Sequence, residues 1–144
     1  MKHNLKSYIL VALQFVLIGF VVLYGGVFGG IISNMVTFLA LALGLWAVTT
    51  MRLRVSVFPE VMESQKLYTG GPYRFLRHPM YAAVLLAVAV WVSHRADVFS
   101  LAAWVALFLV FVLKIKIEEK ELAEKFPEYR EYQKRTKKLI PGVY

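Results

Sequence analysis

Cysteine is absent from the 144 residues. That removes disulfides, thiolate metal sites, iron–sulfur clusters and a cysteine nucleophile at once. Histidine is scarce as well: His3, His78 and His94 lie far apart without helical ligand spacing, so no metal centre is expected. Acidic residues number 9 against 17 Lys and Arg, and charges of both signs make up 18% of the chain. A net charge of +8 could suit nucleic acid, but its distribution argues otherwise. All the basic residues except Arg95 fall in three clusters: Lys2 with Lys6; Arg52, Arg54, Lys66, Arg74 and Arg77; and a run from position 114 to 138. Each cluster flanks apolar sequence, which is the pattern of a membrane protein with its basic loops in the cytoplasm rather than of a nucleic-acid binder. No nucleophile–base pair is evident, so no catalytic side chain is assigned.

What the chain does have is apolar sequence, 59% of it. The expected fold is all-α, a polytopic membrane helix bundle of about four spans, forming a single integral membrane domain over residues 1–144. The run 8–28 follows Lys2 and Lys6 and reads as a retained transmembrane helix, since it is long and lacks a small-residue cleavage site. Gly25, Gly26, Gly29 and Gly30 predict a turn, and a second span covers 31–51. These two N-terminal spans occupy residues 1–51. Gln14, Ser33, Asn34 and the pair Thr49 and Thr50 are their polar exceptions, read as helix–helix or interface groups.

The stretch 52–78 is polar and basic yet holds Val55, Val57, Phe58, Val61, Met62, Leu67 and Tyr68, as expected of a segment along the interface broken at Pro59. A third apolar run, 79–93, is short for a span and turns back at His94, Arg95, Ala96 and Asp97. The fourth, 98–117, ends at Lys114 and Lys116, which can snorkel. Beyond it Glu118, Glu119 and Glu121 alternate with Lys around Leu122, Phe126, Tyr129 and Tyr132, predicting an amphipathic C-terminal helix interrupted by Pro127. Four spans put both termini and residues 52–78 on one face, cytoplasmic by the positive-inside rule, with Arg95 and Asp97 opposite.

The chemistry concentrates in residues 69–81. Gly70, Gly71 and Pro72 are turn formers, and Pro79 suits the first position of a helix with His78 at its cap. A helix N-terminus favours an anion, and Arg74 and Arg77 add two permanent charges. Glu118 and Glu119, on the same face, can hold an ammonium group or ribose hydroxyls. Tyr68, Tyr73, Phe75 and Tyr81 offer flat surfaces for a base or a sulfonium. These groups match a zwitterionic amino acid joined to a nucleoside.

The run Gly71-Pro-Tyr-Arg-Phe-Leu-Arg-His-Pro-Met-Tyr81, followed by Glu118-Glu119 and by Phe126-Pro-Glu-Tyr-Arg-Glu-Tyr132, resembles the isoprenylcysteine carboxyl methyltransferases and the related phospholipid N-methyltransferases. The resemblance covers about 66–135. It implies that this half binds S-adenosylmethionine on the cytosolic side through Tyr73, Arg77, His78, Pro79, Met80, Tyr81 and Glu118 or Glu119, with the backbone of Lys66, Leu67 and Tyr68 assisting. Where the prenylcysteine enzymes carry an arginine facing the acceptor carboxylate, this chain has Lys114 and Lys116. Lys114, with Arg74, is therefore the candidate contact to the acceptor, and snorkelling is the other reading of Lys114. The implied activity is methyl transfer to a lipid or lipophilic acceptor, a prenylcysteine-type carboxylate or a phospholipid amine, arriving from the bilayer between the third and fourth spans. Two other functions stay open. An NADPH-dependent sterol or steroid reductase would share Arg77-His78-Pro79-x-Tyr81 and a tail like Ile140-Pro141-x-x-Tyr144, and a non-catalytic protein could bind anionic membrane lipids through the basic face.

Overall fold

A computed structural model describes residues 4–61 and 65–140. Lys2, His3, Met62 and the tail positions 141–144 lie outside the described residues. The elements are α1 (Leu5–Gly25), α2 (Ile31–Thr50), a single 3-10 turn (Gly71–Arg74), α3 (Pro79–Ser93), α4 (Val98–Lys125) and α5 (Tyr129–Arg135). Among the described residues the one β-type contact is an isolated parallel bridge between Leu76 and Lys137. The protein is an all-helical membrane bundle: α1, α2 and α4 are each long and apolar enough to cross a membrane, while α3 is a shorter apolar helix of 15 residues.

Local chemistry explains the helix ends. Asn4 caps α1 by accepting from the Lys6 N–H, and Gly26 ends it with a φ of 78°, a conformation open to glycine. Asn34 closes the next loop by pairing its amide with both the N–H and the carbonyl of Gly29, at 3.1 Å each. Thr49 and Thr50 turn their hydroxyls onto carbonyls of their own helix, at Leu45 and Trp46. Beyond them Arg52 and Leu53 adopt positive φ (53° and 62°), which stops α2 abruptly. His78 is the N-cap residue of α3 and Pro79 its first residue. Asp97 caps α4 by accepting from the N–H groups of Phe99 and Ser100. α4 then runs 28 residues, and Pro127, which has no N–H to give, lies just past its end.

α2 packs along α3, α1 along α4, and α3 bridges the two pairs. Leu10 and Val21 of α1, Leu85, Val88 and Val92 of α3, and Leu107, Phe111 and Ile115 of α4 form the core. The outer faces of α1 and α2 stay apolar, with Leu23, Ile31 and Phe38 exposed, as expected where lipid is the solvent. A second cluster of Leu122, Tyr129 and Tyr132, joined by Val61, Leu67 and Phe126, lies beyond the bundle at the far end of α4. The tail binds this end together: Arg77 N–H donates to Lys137 O at 2.7 Å, His78 N–H to Lys138 O at 3.1 Å, and Lys137 N–H to Phe75 O at 3.2 Å.

Leu85 and Val88 of α3 join Leu107 and Phe111 of α4 in the apolar core, and the Trp104 indole donates to Leu85 O at 3.0 Å. On the other side of α3 an apolar groove runs along α2.

Candidate functional site

The end of α2, the turn at 71–74, the start of α3 and the last turns of α4 converge on one polar cleft. Its internal volume is about 70 Å³, within about 750 Å³ of space counted with its open mouth. Gly71 makes the turn possible: its φ is +55°, and a Cβ there would stand 2.5 Å from Thr50 Oγ1. The turn buries Tyr73, whose hydroxyl lies 3.0 Å from the Met51 sulfur and whose carbonyl accepts from Tyr132 OH at 2.6 Å. Burial, followed by the negative charge of Glu118, raises the Tyr73 phenol well above its usual range. Burial pushes Tyr132 up to about 12, so both phenols keep their protons through the physiological range.

His78 stands between the two carboxylates, its Nδ1 3.6 Å from Glu118 Oε2 and its Nε2 3.3 Å from Glu119 Oε1. Its ring stacks on Tyr81, and Tyr81 stacks on Phe111. Tyr81 OH donates to Glu118 Oε2 at 3.2 Å. The two glutamates then part company. Glu119 closes an ion pair with Arg77 Nε at 2.6 Å and lies 3.9 Å from Lys138 Nζ, whereas Glu118 lines the cleft. Arg77 completes its set by donating Nη1 to the carbonyls of Gln133 and Thr136, at 3.1 and 2.5 Å.

Of the residues singled out in the sequence, Lys66, Leu67, Tyr68, Tyr73, Arg77, His78, Met80, Tyr81 and Glu118 line the cleft. Pro79 is buried at the start of α3. Arg74 points to solvent and lines no part of the cleft. Lys114 does not snorkel: its side chain is fully buried, with Nζ donating to Gln14 Oε1 at 2.5 Å and to Val57 O at 2.7 Å. Two long-range partners outweigh the pull of water here, and the ammonium also sits 5.4 Å from the Tyr81 ring centre.

Sequence reasoning missed one wall and one hydroxyl. The wall is the strap 54–60, from which Arg54, Val55, Ser56, Phe58 and Glu60 line the cleft. The strap is held by Lys114 at Val57 O and by Glu121, which accepts from Val61 N–H at 2.6 Å. The hydroxyl is that of Tyr129: it is 1% exposed, lines the cleft, and has no hydrogen-bond partner among the described residues. A buried unpaired donor is costly, so one aimed into a cleft points to a ligand there. The Phe126-Pro-Glu-Tyr129 run beside the acidic pair was the available signal. Among the described residues no group of three or more His, Asp or Glu could hold a metal.

The donor set fits S-adenosylmethionine. Glu118 can accept from an ammonium or from ribose hydroxyls, Arg54 and Lys66 bring positive charge to the exposed side of the cleft, and five tyrosines present rings or hydroxyls.

The family model described as phospholipid methyltransferase matches residues 31–129. The cobalt-zinc-cadmium resistance protein CzcN of Cupriavidus metallidurans is 34% identical over 105 residues, 70% of this chain and 47% of that protein. The nickel-cobalt-cadmium resistance protein NccN of Alcaligenes xylosoxydans xylosoxydans is 32% identical over 103 residues, 70% of this chain and 48% of that protein. Methanethiol S-methyltransferase of Pseudomonas deceptionensis is 35% identical over 72 residues, 49% of this chain and 27% of that protein. The chain therefore spans about half the length, or less, of the curated relatives it matches.

Proposed function

The chain belongs to the phospholipid methyltransferase family, and we propose on that premise that it transfers a methyl group from S-adenosylmethionine to a lipophilic acceptor within the membrane. The observation that carries this reading is the cleft in which Glu118, His78, Tyr81 and the Tyr129 hydroxyl, unpaired among the described residues, converge. The match to methanethiol S-methyltransferase supports methyl transfer as the reaction class.

The donor, when bound, supplies a methyl carbon already activated by a positive sulfur. The chain's own residues then bind, orient and exclude water. Glu118 takes the ammonium or the ribose hydroxyls, and Tyr81 OH with His78 Nδ1 fixes the direction of that carboxylate. Arg77 and Glu119, held to one another, pin the start of α3 to α4 and the tail, so the cleft keeps its shape when empty. The rings of Tyr73 and Tyr81 shield the reacting region from water. Arg54 and Lys66 suit the carboxylate of the amino-acid part. No general base is assigned among these residues.

Calorimetric titration of the detergent-purified protein with S-adenosylhomocysteine and, separately, NADPH tests the reading. Binding of the former that disappears in Glu118→Ala supports it. Binding of NADPH alone would establish a reductase in its place, and binding of neither by a folded sample would leave a lipid-binding membrane protein.

A further inference from the structure

The family match begins at Ile31, so α1 falls outside it, and among the described residues none of α1 lines the polar cleft. The helix and its cap nevertheless reach one wall of that cleft, the strap 54–60, at three places. The N-cap residue Asn4 donates its N–H to Glu60 Oε1 at 3.2 Å. The Tyr8 ring meets the Phe58 ring edge-on, with centres 5.2 Å apart. Gln14 acts through an intermediary: its Oε1 accepts from Lys114 Nζ, which also donates to Val57 O at 2.7 Å.

Gln14 stands where the helix pattern asks for an apolar residue. Leu10, Gln14, Leu17 and Val21 recur at spacings of four and three, and the apolar members pack into the core that α1 shares with α4. An amide on such a stripe needs a hydrogen-bond partner, and Lys114 supplies it. The Lys114 side chain is fully buried, so its ammonium depends on the acceptors that protein groups provide. Without Gln14 it is short of one, and it gains by leaving Val57 for water. The strap has little else to keep it in place. No helix or strand runs through 54–61. Phe58 N–H donates to Ser56 Oγ at 3.1 Å and Val61 N–H to Glu121 Oε2 at 2.6 Å, so side chains rather than a ladder hold this backbone.

We propose that Gln14 and Lys114 are positioning residues for the methyl donor: through Val57 O they fix the strap as a wall of the cleft, and α1, which touches no part of the cleft, thereby sets its affinity for S-adenosylmethionine. This rests on the donor-binding reading above and adds α1 to the elements that govern it. The strap brings Arg54, Ser56, Phe58 and Glu60 to the cleft, so a ligand meets the complete site only while the strap is docked. The docked fraction scales the affinity: a strap docked about a tenth of the time raises the apparent dissociation constant about tenfold.

The test uses the full chain in lipid nanodiscs, titrated with S-adenosylhomocysteine, with hydrogen–deuterium exchange of the strap as a second readout. Gln14→Leu should raise the dissociation constant about tenfold and speed exchange at the Phe58 and Val61 amides, while amides in the middle of α4 exchange as in the parent. Gln14→Glu keeps an oxygen facing Lys114 and should bind within about twofold of the parent. Leu10→Ala, a core residue of the same stripe, is the control: it should lower the melting temperature and leave both readouts as they were. If Gln14→Leu does not fold, the double variant Gln14→Leu with Lys114→Met replaces it. That variant leaves no buried charge unpaired and should bind as weakly, because Val57 O has lost its donor. Unchanged affinity in these variants overturns the proposal, as does weaker binding with strap exchange unaltered. So does equal weakening in Leu10→Ala, or a Gln14→Glu protein as weak as Gln14→Leu. A folded parent that binds no S-adenosylhomocysteine would bring down the donor-binding reading itself, and this proposal with it.

Discussion

Arg77 and Glu119 are joined at 2.6 Å with both side chains largely buried, while Glu118, one residue away, faces the cleft. Neighbouring carboxylates on one helix therefore hold different positions, one in the scaffold and one in the site. Glu119→Gln should lower the unfolding free energy by about 3 kcal/mol, because it leaves the Arg77 guanidinium buried without its counter-ion. Glu118→Gln should change stability much less and weaken S-adenosylhomocysteine binding about tenfold, the loss of one charge-assisted hydrogen bond. Denaturant titration and calorimetry on the two variants separate the effects; equal stability losses would contradict the division.

Tyr129 and Tyr132 make a second such pair. Tyr132→Phe deletes a 2.6 Å hydrogen bond to Tyr73 O and should cost about 1 kcal/mol of stability. Tyr129→Phe deletes a hydroxyl with no partner among the described residues, so the ligand-free protein should be as stable as the parent or more so. Its affinity for S-adenosylhomocysteine should nevertheless fall about tenfold. A Tyr129→Phe protein that melts early and binds normally would show the hydroxyl to be structural.

Lys114 and Gln14 are coupled across the bundle. Gln14→Leu strips one of the two hydrogen-bond acceptors of a buried ammonium and should destabilise by about 1–3 kcal/mol. Adding Lys114→Met removes the charge that made the first change costly. The double variant should be less destabilised than the sum of the two single ones, and a double-mutant cycle in urea reads this directly. Additivity would mean that the contact contributes nothing.

Two adjacent glycines should respond differently to alanine. Gly71 has a φ of +55° and Thr50 Oγ1 2.5 Å from where its Cβ would stand. Gly70 has a φ of −92° with nothing within 4 Å. Gly71→Ala should cost at least about 1–2 kcal/mol from the left-handed backbone alone, and Gly70→Ala close to nothing. Thermal melts of both variants check the contrast.

The cap of α4 has a pH signature. Hydrogen bonds from Ser100, backbone N–H first and hydroxyl second, hold the Asp97 carboxyl below its ordinary value. A depressed folded-state value means that the stabilisation is complete above the unfolded value and is lost as pH falls through the lowered one. The melting-temperature gap between the parent and Asp97→Ala should be full at neutral pH and shrink once pH drops below about 4.

Much of this was legible where the deciding chemistry is local. His78 and Pro79 announce a helix start in two residues, and the glycines at 25–30 announce a break. Ala40 with Gly44, and Ala83 with Ala87, repeat at four-residue spacing, a small-residue pattern that brings helices close and that marks the packing of α2 on α3. Lys114 was illegible for a different reason: its partners lie 100 and 57 residues away, and nothing beside it in sequence hints at either. The division of labour between Glu118 and Glu119 could not be read either, since successive helical residues point about 100° apart and the sequence does not say which direction holds Arg77.

α3 is 15 residues long. At helical rise it measures about 22 Å, short of the roughly 30 Å of a typical hydrocarbon layer. Lipid beside α3 must thin, or the ends of the helix must be drawn inward. The His78 end of α3 also lines the polar cleft, so acyl-chain length in the host membrane becomes a setting on that cleft: a thick bilayer would submerge its mouth, and a thin bilayer would lift it to the surface.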